Sequence, residues 1–513
     1  MFRFRVLGIA VVCVTIGVVL PVLAQESESV LPSRKVDCQD RPNGYTYDDR
    51  DDGVICGVLD VPEDWDEPAG RQIEIAFAIV ESTAAQPSSE PMIFLQGGPG
   101  DAYTEAPFAL LNGFTLHREE RDLIIFDQRG AGLSSRLDCA RYVSTEWSDY
   151  IDATYRNARD CAEGLRDEGI DIDQYNTVNS AGDVLALMQS LASARGYSGF
   201  HVYGLSYGTR LSLVMLREFP NHPLIRSVTL DSPFPTQIRQ FEQIPAVFQE
   251  VLTVVFTTCA ADVQCDAAYP DLKARYLALL DQANDPLRRS FMTRTDGIDT
   301  TVLVNGLRGG LDLSPVFAAY IPRLILEFEN GNRDALYDVY DTVLYDVVYP
   351  ETADYVYPST INQEMYWSLQ CREEIAFESE SGVRASIAAL EHPLLGSYTL
   401  ESFERMYDIC RGWNNGSADD DFKTPVQSDV PILIFQADYD MRTPPSWGRA
   451  AAESLSNTVY LSVPATGHGV IGSSPCVDQI SASFMRDPAA SVDTACLGGL
   501  AIKFIMPDED IES

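Results

Sequence analysis

Five consecutive residues, Gly204-Leu205-Ser206-Tyr207-Gly208, fit the pattern G-x-S-x-G. In that pattern a serine sits on a sharp, strained turn between a strand and a helix, and its neighbours must be small for the turn to close. Phe200-His201-Val202-Tyr203 before it reads as a strand, and the apolar periodicity through Leu211, Leu213, Val214 and Leu216 reads as a helix after it. That context singles out Ser206 as a candidate nucleophile. A hydroxyl is a poor nucleophile until a base takes its proton, so a partner must exist.

Such sites run in chain order from serine to acid to histidine. Of the five histidines, only His222, His392 and His468 follow Ser206. His222 falls just beyond the turn's helix and His392 in a segment without strand signals. His468, in Thr466-Gly467-His468-Gly469, directly follows a strand-like run and is the candidate base. The acid must hold the imidazole in one tautomer and orientation. Asp440, in Gln436-Ala437-Asp438-Tyr439-Asp440 after a strand ending at Phe435, is preferred; Asp231 is the rival and Asp438 a lesser one. The developing oxyanion needs backbone N–H donors. Tyr207, next to the serine, supplies one, and Gly98 in Gly97-Gly98-Pro99-Gly100 the other. This chemistry asks for no cofactor. With five histidines and no C-x-x-C spacing, no zinc site is expected either.

The elements that must carry these residues follow from short β-branched and apolar runs. Val54 to Val61, Ile73 to Val80, Pro91 to Leu95, Leu123 to Phe126, Ile225 to Leu230, Pro431 to Phe435 and Val459 to Val463 read as strands. Helical periodicity between several of them implies an α/β fold with a mostly parallel sheet covered on both faces. From Pro233 to Asp429 the strand signals stop and the chain reads as mainly helical. The expected organisation is a leader (1–24), a first part of the sheet domain (25–232), a helical cap inserted at 233–429, and the second part of the sheet domain (430–513). Residues 25 to about 55 read as a polar surface lead-in.

Arg3 and Arg5, the apolar run Val6 to Leu20 and the small-residue end at Ala24 read as an export signal. No later stretch reads as long and apolar enough to span a bilayer, so a soluble protein, periplasmic or extracellular, is expected. Ten cysteines remain beyond the leader: Cys38, Cys56, Cys139, Cys161, Cys259, Cys265, Cys371, Cys410, Cys476 and Cys496. An even number in an exported chain points to disulfides. Pairing each with its neighbour gives five local loops, though spacing alone does not fix connectivity. The net charge of −39 repels nucleic acid and anionic membranes.

Gln96-Gly97-Gly98-Pro99-Gly100, Asp127-Gln128-Arg129-Gly130-Ala131-Gly132-Leu133-Ser134, the Ser206 pentapeptide and Thr466-Gly467-His468-Gly469 occur in that order. Together they resemble the proline iminopeptidase and tripeptidyl aminopeptidase branch of the α/β-hydrolases, over residues 50–232 and 430–500. Gln96 stands where iminopeptidases commonly have His, as on the tripeptidyl aminopeptidase side. The resemblance implies an α/β-hydrolase fold and release of residues or short peptides from a free N-terminus. It further implies cap carboxylates that hold the substrate's ammonium group. In Cys371-Arg372-Glu373-Glu374 these would be Glu373, with Glu374 second. A carboxylesterase with the same Ser-Asp-His set is the alternative, since one fold hosts many substrates. A noncatalytic binding protein would be expected to lack one of the three residues.

Overall fold

A computed structural model of the chain describes residues 30–37, 53–104, 111–140, 150–283, 299–344 and 361–511. The expected export signal lies outside the described residues.

Nine strands form one sheet, in the order β1-β2-β3-β5-β4-β6-β7-β8-β9. They are β1 (Ser33–Val36), β2 (Val54–Pro62), β3 (Gln72–Val80), β4 (Met92–Leu95), β5 (Leu123–Phe126), β6 (Phe200–Leu205), β7 (Ile225–Asp231), β8 (Ile432–Ala437) and β9 (Thr458–Val463). Every residue of β4, β5 and β8 is buried, which is why these strands read as unbroken apolar runs rather than as alternations. From β5 across to β9 neighbouring strands are parallel, while β1, β2 and β3 form an antiparallel edge. β1 lies inside the stretch expected to be a lead-in. Its polar sequence, Ser-Arg-Lys-Val, hides a strand held by backbone pairing with Cys56 to Leu59.

Register aligns the carboxyl ends of the parallel strands. Leu95 pairs with Gly204, Leu205 with Asp231, Asp231 with Phe435, and Ala437 with Val463. The loops after β4, β6, β7, β8 and β9 therefore leave one edge of the sheet, the usual place for ligands in open α/β sheets.

Between Gln240 and Trp413 the described elements are all helical. They build a second core around Phe248, Leu252, Leu307, Phe317, Leu324 and Leu336, so the insertion is a large helical cap on an α/β-hydrolase core. The chain's last described residues join it. Phe504 is buried in the cap's core, the Ile505 amide donates to Ala319, and Tyr269 and Arg323 donate to carbonyls between Ile505 and Glu509. This tail, expected to belong with the sheet, packs on the cap because its apolar residues find their partners there.

One expectation about hydropathy needs correcting. The helix Gln240–Ala261 is long and apolar enough by composition to cross a membrane. Its apolar side, however, is buried in the protein through Phe248, Val251, Leu252 and Val255. Its Glu250 carboxylate accepts from the Ser446 amide at 2.8 Å and its hydroxyl at 2.6 Å. It is the spine of the cap.

Disulfides join Cys139–Cys161, Cys259–Cys265, Cys371–Cys410 and Cys476–Cys496, each a neighbour-to-neighbour pair. Cys56 is also disulfide-bonded, and Cys38 lies outside the described residues.

Candidate active site

Ser206 joins β6 to the helix Tyr207–Glu218 with φ 57° and ψ −123°, a conformation that L residues avoid. The flanking glycines make it attainable. A Cβ on Gly208 would lie 1.9 Å from the Leu95 carbonyl oxygen, and one on Gly204 would lie 2.5 Å from the Gly208 oxygen. No other residue fits either place. The turn sets Ser206 at a helix N-terminus, where the backbone dipoles favour negative charge.

His468 follows β9 by five residues. Its Nδ1 lies 2.9 Å and 3.0 Å from the two carboxylate oxygens of Asp440, and 3.3 Å from the Thr443 hydroxyl. Asp440 is fully buried and also accepts the amides of Arg442 and Thr443 and the Thr443 hydroxyl, at 2.8 to 2.9 Å. Burial alone would raise its pKa. The His468 ring, its hydrogen bond and those two amides outweigh burial and hold the carboxyl below its ordinary value. An ionised acid at Nδ1 leaves Nε2 as the ring's other nitrogen, the geometry a general base requires.

The rival acid has other work. The buried Asp231 carboxylate accepts the amides of Val470 and Ile471 at 3.0 to 3.1 Å and the Tyr203 hydroxyl at 2.8 Å. Its carbonyl accepts the Ser206 amide at 2.9 Å, and the next hydroxyl, Ser232, accepts the Gly469 amide at 2.9 Å. The dipeptide Asp231-Ser232 thus ties the serine turn to the histidine loop. Asp438 bonds the Ser462 hydroxyl instead. His222 and His392 each accept a backbone amide two residues on, from Leu224 and Leu394, and so hold local turns.

Ser206, His468, Gly98 and Tyr207 line one cavity of about 530 Å³, within the usual range for small-ligand sites. Gly98 has φ 104°, and Tyr207 turns its buried hydroxyl away to Thr177 at 2.8 Å. Asp127, at the head of the second glycine-containing motif, accepts the Tyr103, Thr104 and Leu133 amides and so shapes the loop beyond Gly100. Arg129 two residues later makes a buried bidentate pair with Asp183. The cap supplies the far wall through Phe241, Ile244, Arg308, Gln370 and Tyr398.

Glu373 and Glu374 are not on that wall. Glu373 is buried and accepts the Thr177 amide at 2.7 Å and its hydroxyl at 2.6 Å. Glu374 pairs with Arg210 and, at 2.6 Å, with Lys423. Both carboxylates bond partners within the protein and neither lines the cavity beside Ser206, a placement unlike the ammonium-anchoring one implied by the resemblance. Sequence reading missed three other groups: Thr443, Gln370 and Arg308. Thr443 had a signal, since a Thr three residues after an Asp, before two prolines, is a turn that the Asp side chain organises.

A strained serine above a sheet, an imidazole locked to a buried carboxylate and a roofed cavity define the class. The chain has the α/β-hydrolase fold and carries the site of a serine-hydrolase-type enzyme. A family model described as TAP-like protein matches residues 396–496, the stretch holding Asp440 and His468. Among curated proteins, the chain is 22% identical over 464 residues to serine protease Hip1 of Mycobacterium tuberculosis, covering 84% of this chain and 85% of that one. It is 28% identical over 194 residues to tripeptidyl aminopeptidase of Streptomyces lividans, covering 35% of each. Among solved structures, proline iminopeptidase of Mycobacterium smegmatis overlaps 84% of this chain and 98% of that one, at 15% identity and a TM-score of 0.33.

Proposed function

We propose that the protein is an exported serine exopeptidase that releases residues or short peptides from the N-terminus of peptides through an acyl-enzyme. The observation that carries this reading is that His468, held by the buried Asp440, lines the same cavity as Ser206. Ser206 Oγ attacks the scissile carbonyl carbon as His468 Nε2 takes its proton. The oxyanion is met by the amides of Gly98 and Tyr207, helped by the helix N-terminus. The tetrahedral adduct collapses, the C–N bond breaks, and His468 returns the proton to the leaving amine. Water, activated by the same imidazole, then hydrolyses the acyl ester.

Three observations support a peptide substrate. The chain is similar to a protein named as a serine protease over most of both lengths, and to tripeptidyl aminopeptidases over part. Cap residues line the cavity opposite Ser206, where they can set the length of substrate admitted. Gln370 presents a buried Oε1 without a hydrogen-bond partner, while its Nε2 donates to Gln240 at 3.2 Å. With Asp101 lining the same cavity, that acceptor can take a substrate ammonium in place of Glu373 and Glu374. The same withdrawal of the two glutamates favours a second reading, a carboxylesterase with the same three residues.

A panel of fluorogenic aminoacyl, prolyl and tripeptidyl amides, with free and acetylated N-termini, beside simple aryl esters, separates the two. The exopeptidase reading predicts that acetylation lowers kcat/KM by at least about tenfold. Turnover of aryl esters with no amide cleavage would replace it with the esterase.

A further inference from the structure

Arg308 lines the cavity that holds Ser206 and His468. It stands in the short cap helix Leu307–Leu313, with its guanidinium carbon 4.6 Å from the centre of the Tyr398 ring. Its Nε is buried and has no acceptor, and among the described residues no carboxylate pairs with it. Asp312, one turn along the same helix, is taken by Arg442 at 2.9 Å.

That arrangement is unusual for this chain. With 76 acidic residues against 37 basic ones, a carboxylate partner is easily supplied. The fully buried Arg129 and Arg210 both have one. A guanidinium kept on a cavity wall with no counter-ion among the described residues bears a desolvation cost that an aromatic face offsets only in part. An anionic ligand would complete it.

We propose that Arg308 is a carboxylate-binding subsite of this cavity, which makes short peptides bearing a carboxylate the preferred substrates. The guanidinium fork suits planar, two-point recognition of such a group, held by the Tyr398 ring beneath it. In about 530 Å³ one short molecule can place its carbonyl at Ser206 and its carboxylate at Arg308. The carboxylate has two sources, a free C-terminus or an Asp or Glu side chain. This inference rests on reading Ser206 as the nucleophile of the same cavity.

The test compares kcat and KM for one peptide in three forms: free C-terminal acid, C-terminal amide, and amide with Glu replacing an internal Gln. The wild-type enzyme should favour a carboxylate form over the neutral amide by about tenfold in kcat/KM, expressed in KM. Preference for the first form identifies the C-terminus, and preference for the third identifies the acidic side chain. In Arg308→Gln the ratio should fall to about one through a rise in KM, and Arg308→Lys should retain part of it. A second measurement avoids turnover: calorimetric binding of a tripeptide acid and its amide to the Ser206→Ala protein. Tighter binding of the acid there, with no turnover in the wild type, would keep the subsite and reject the serine mechanism. Equal affinity for acid and amide, or an equal loss of both in Arg308→Gln, overturns the proposal.

Discussion

The carboxylate of Asp231 accepts the Val470 amide at 3.0 Å, two residues beyond His468, whereas the imidazole itself goes to Asp440 at 2.9 Å. Two buried acids thus divide one task, one holding the loop and the other the ring. Removing their charge should therefore have unequal effects. Asp440→Asn should lower kcat by about 10³–10⁴-fold, because an amide no longer fixes the tautomer. Asp231→Asn should lower it by about tenfold and also reduce the melting temperature. Steady-state rates and thermal melts on both variants check this, and the reverse order would hand the acid's role to Asp231.

The serine turn leaves no room for a methyl group. Gly208→Ala would drive its Cβ into the Leu95 carbonyl, 1.9 Å away, so β4 or the helix Tyr207–Glu218 must shift. A loss of about 3 kcal/mol or more in denaturant unfolding is expected. A change under about 1 kcal/mol would mean that the two elements are not held this closely.

Glu374 sits between Arg210 and Lys423, all three buried. In Glu374→Gln two cations lose their counter-charge, and stability should drop by about 3–5 kcal/mol. Chemical unfolding measures this. The ratio of rates on free and acetylated N-termini should stay near that of the wild type. A collapse of that ratio without destabilisation would restore Glu374 as the ammonium anchor.

Burial, followed by the nearby Glu374 charge, pushes the Glu378 carboxyl up from 4.5 to about 8. The folded state then binds more protons than the unfolded chain between those values, so stability falls as pH climbs through that window. Glu378→Gln removes this dependence. Unfolding midpoints measured between about pH 5 and 9 should fall less steeply in the variant than in the wild type. Parallel profiles would show that Glu378 titrates normally.

Much of the site was legible because its residues sit where local pattern and global fold agree. Ser206 needs glycines at both sides, and His468 and Asp440 follow strands whose apolar runs are hard to miss. The neighbour pairing of cysteines was legible for the same reason: four of the pairs close local loops. What the sequence left hidden depended on distant partners. Nothing near Glu373 in the chain announces that Thr177 will take its carboxylate, nor near Glu374 that Arg210 and Lys423 will. β1 was invisible because backbone pairing, not apolar content, holds it. The tail around Phe504 looked like part of the sheet domain only because it follows it in sequence.

The most direct test of the account is covalent labelling with a fluorophosphonate, read by peptide mass spectrometry. It predicts one adduct on the peptide carrying Ser206, absent in Ser206→Ala and slowed by at least about 10³-fold in His468→Ala, with both variants folded. A folded wild-type protein that takes no label, or one labelled at another residue, would contradict it.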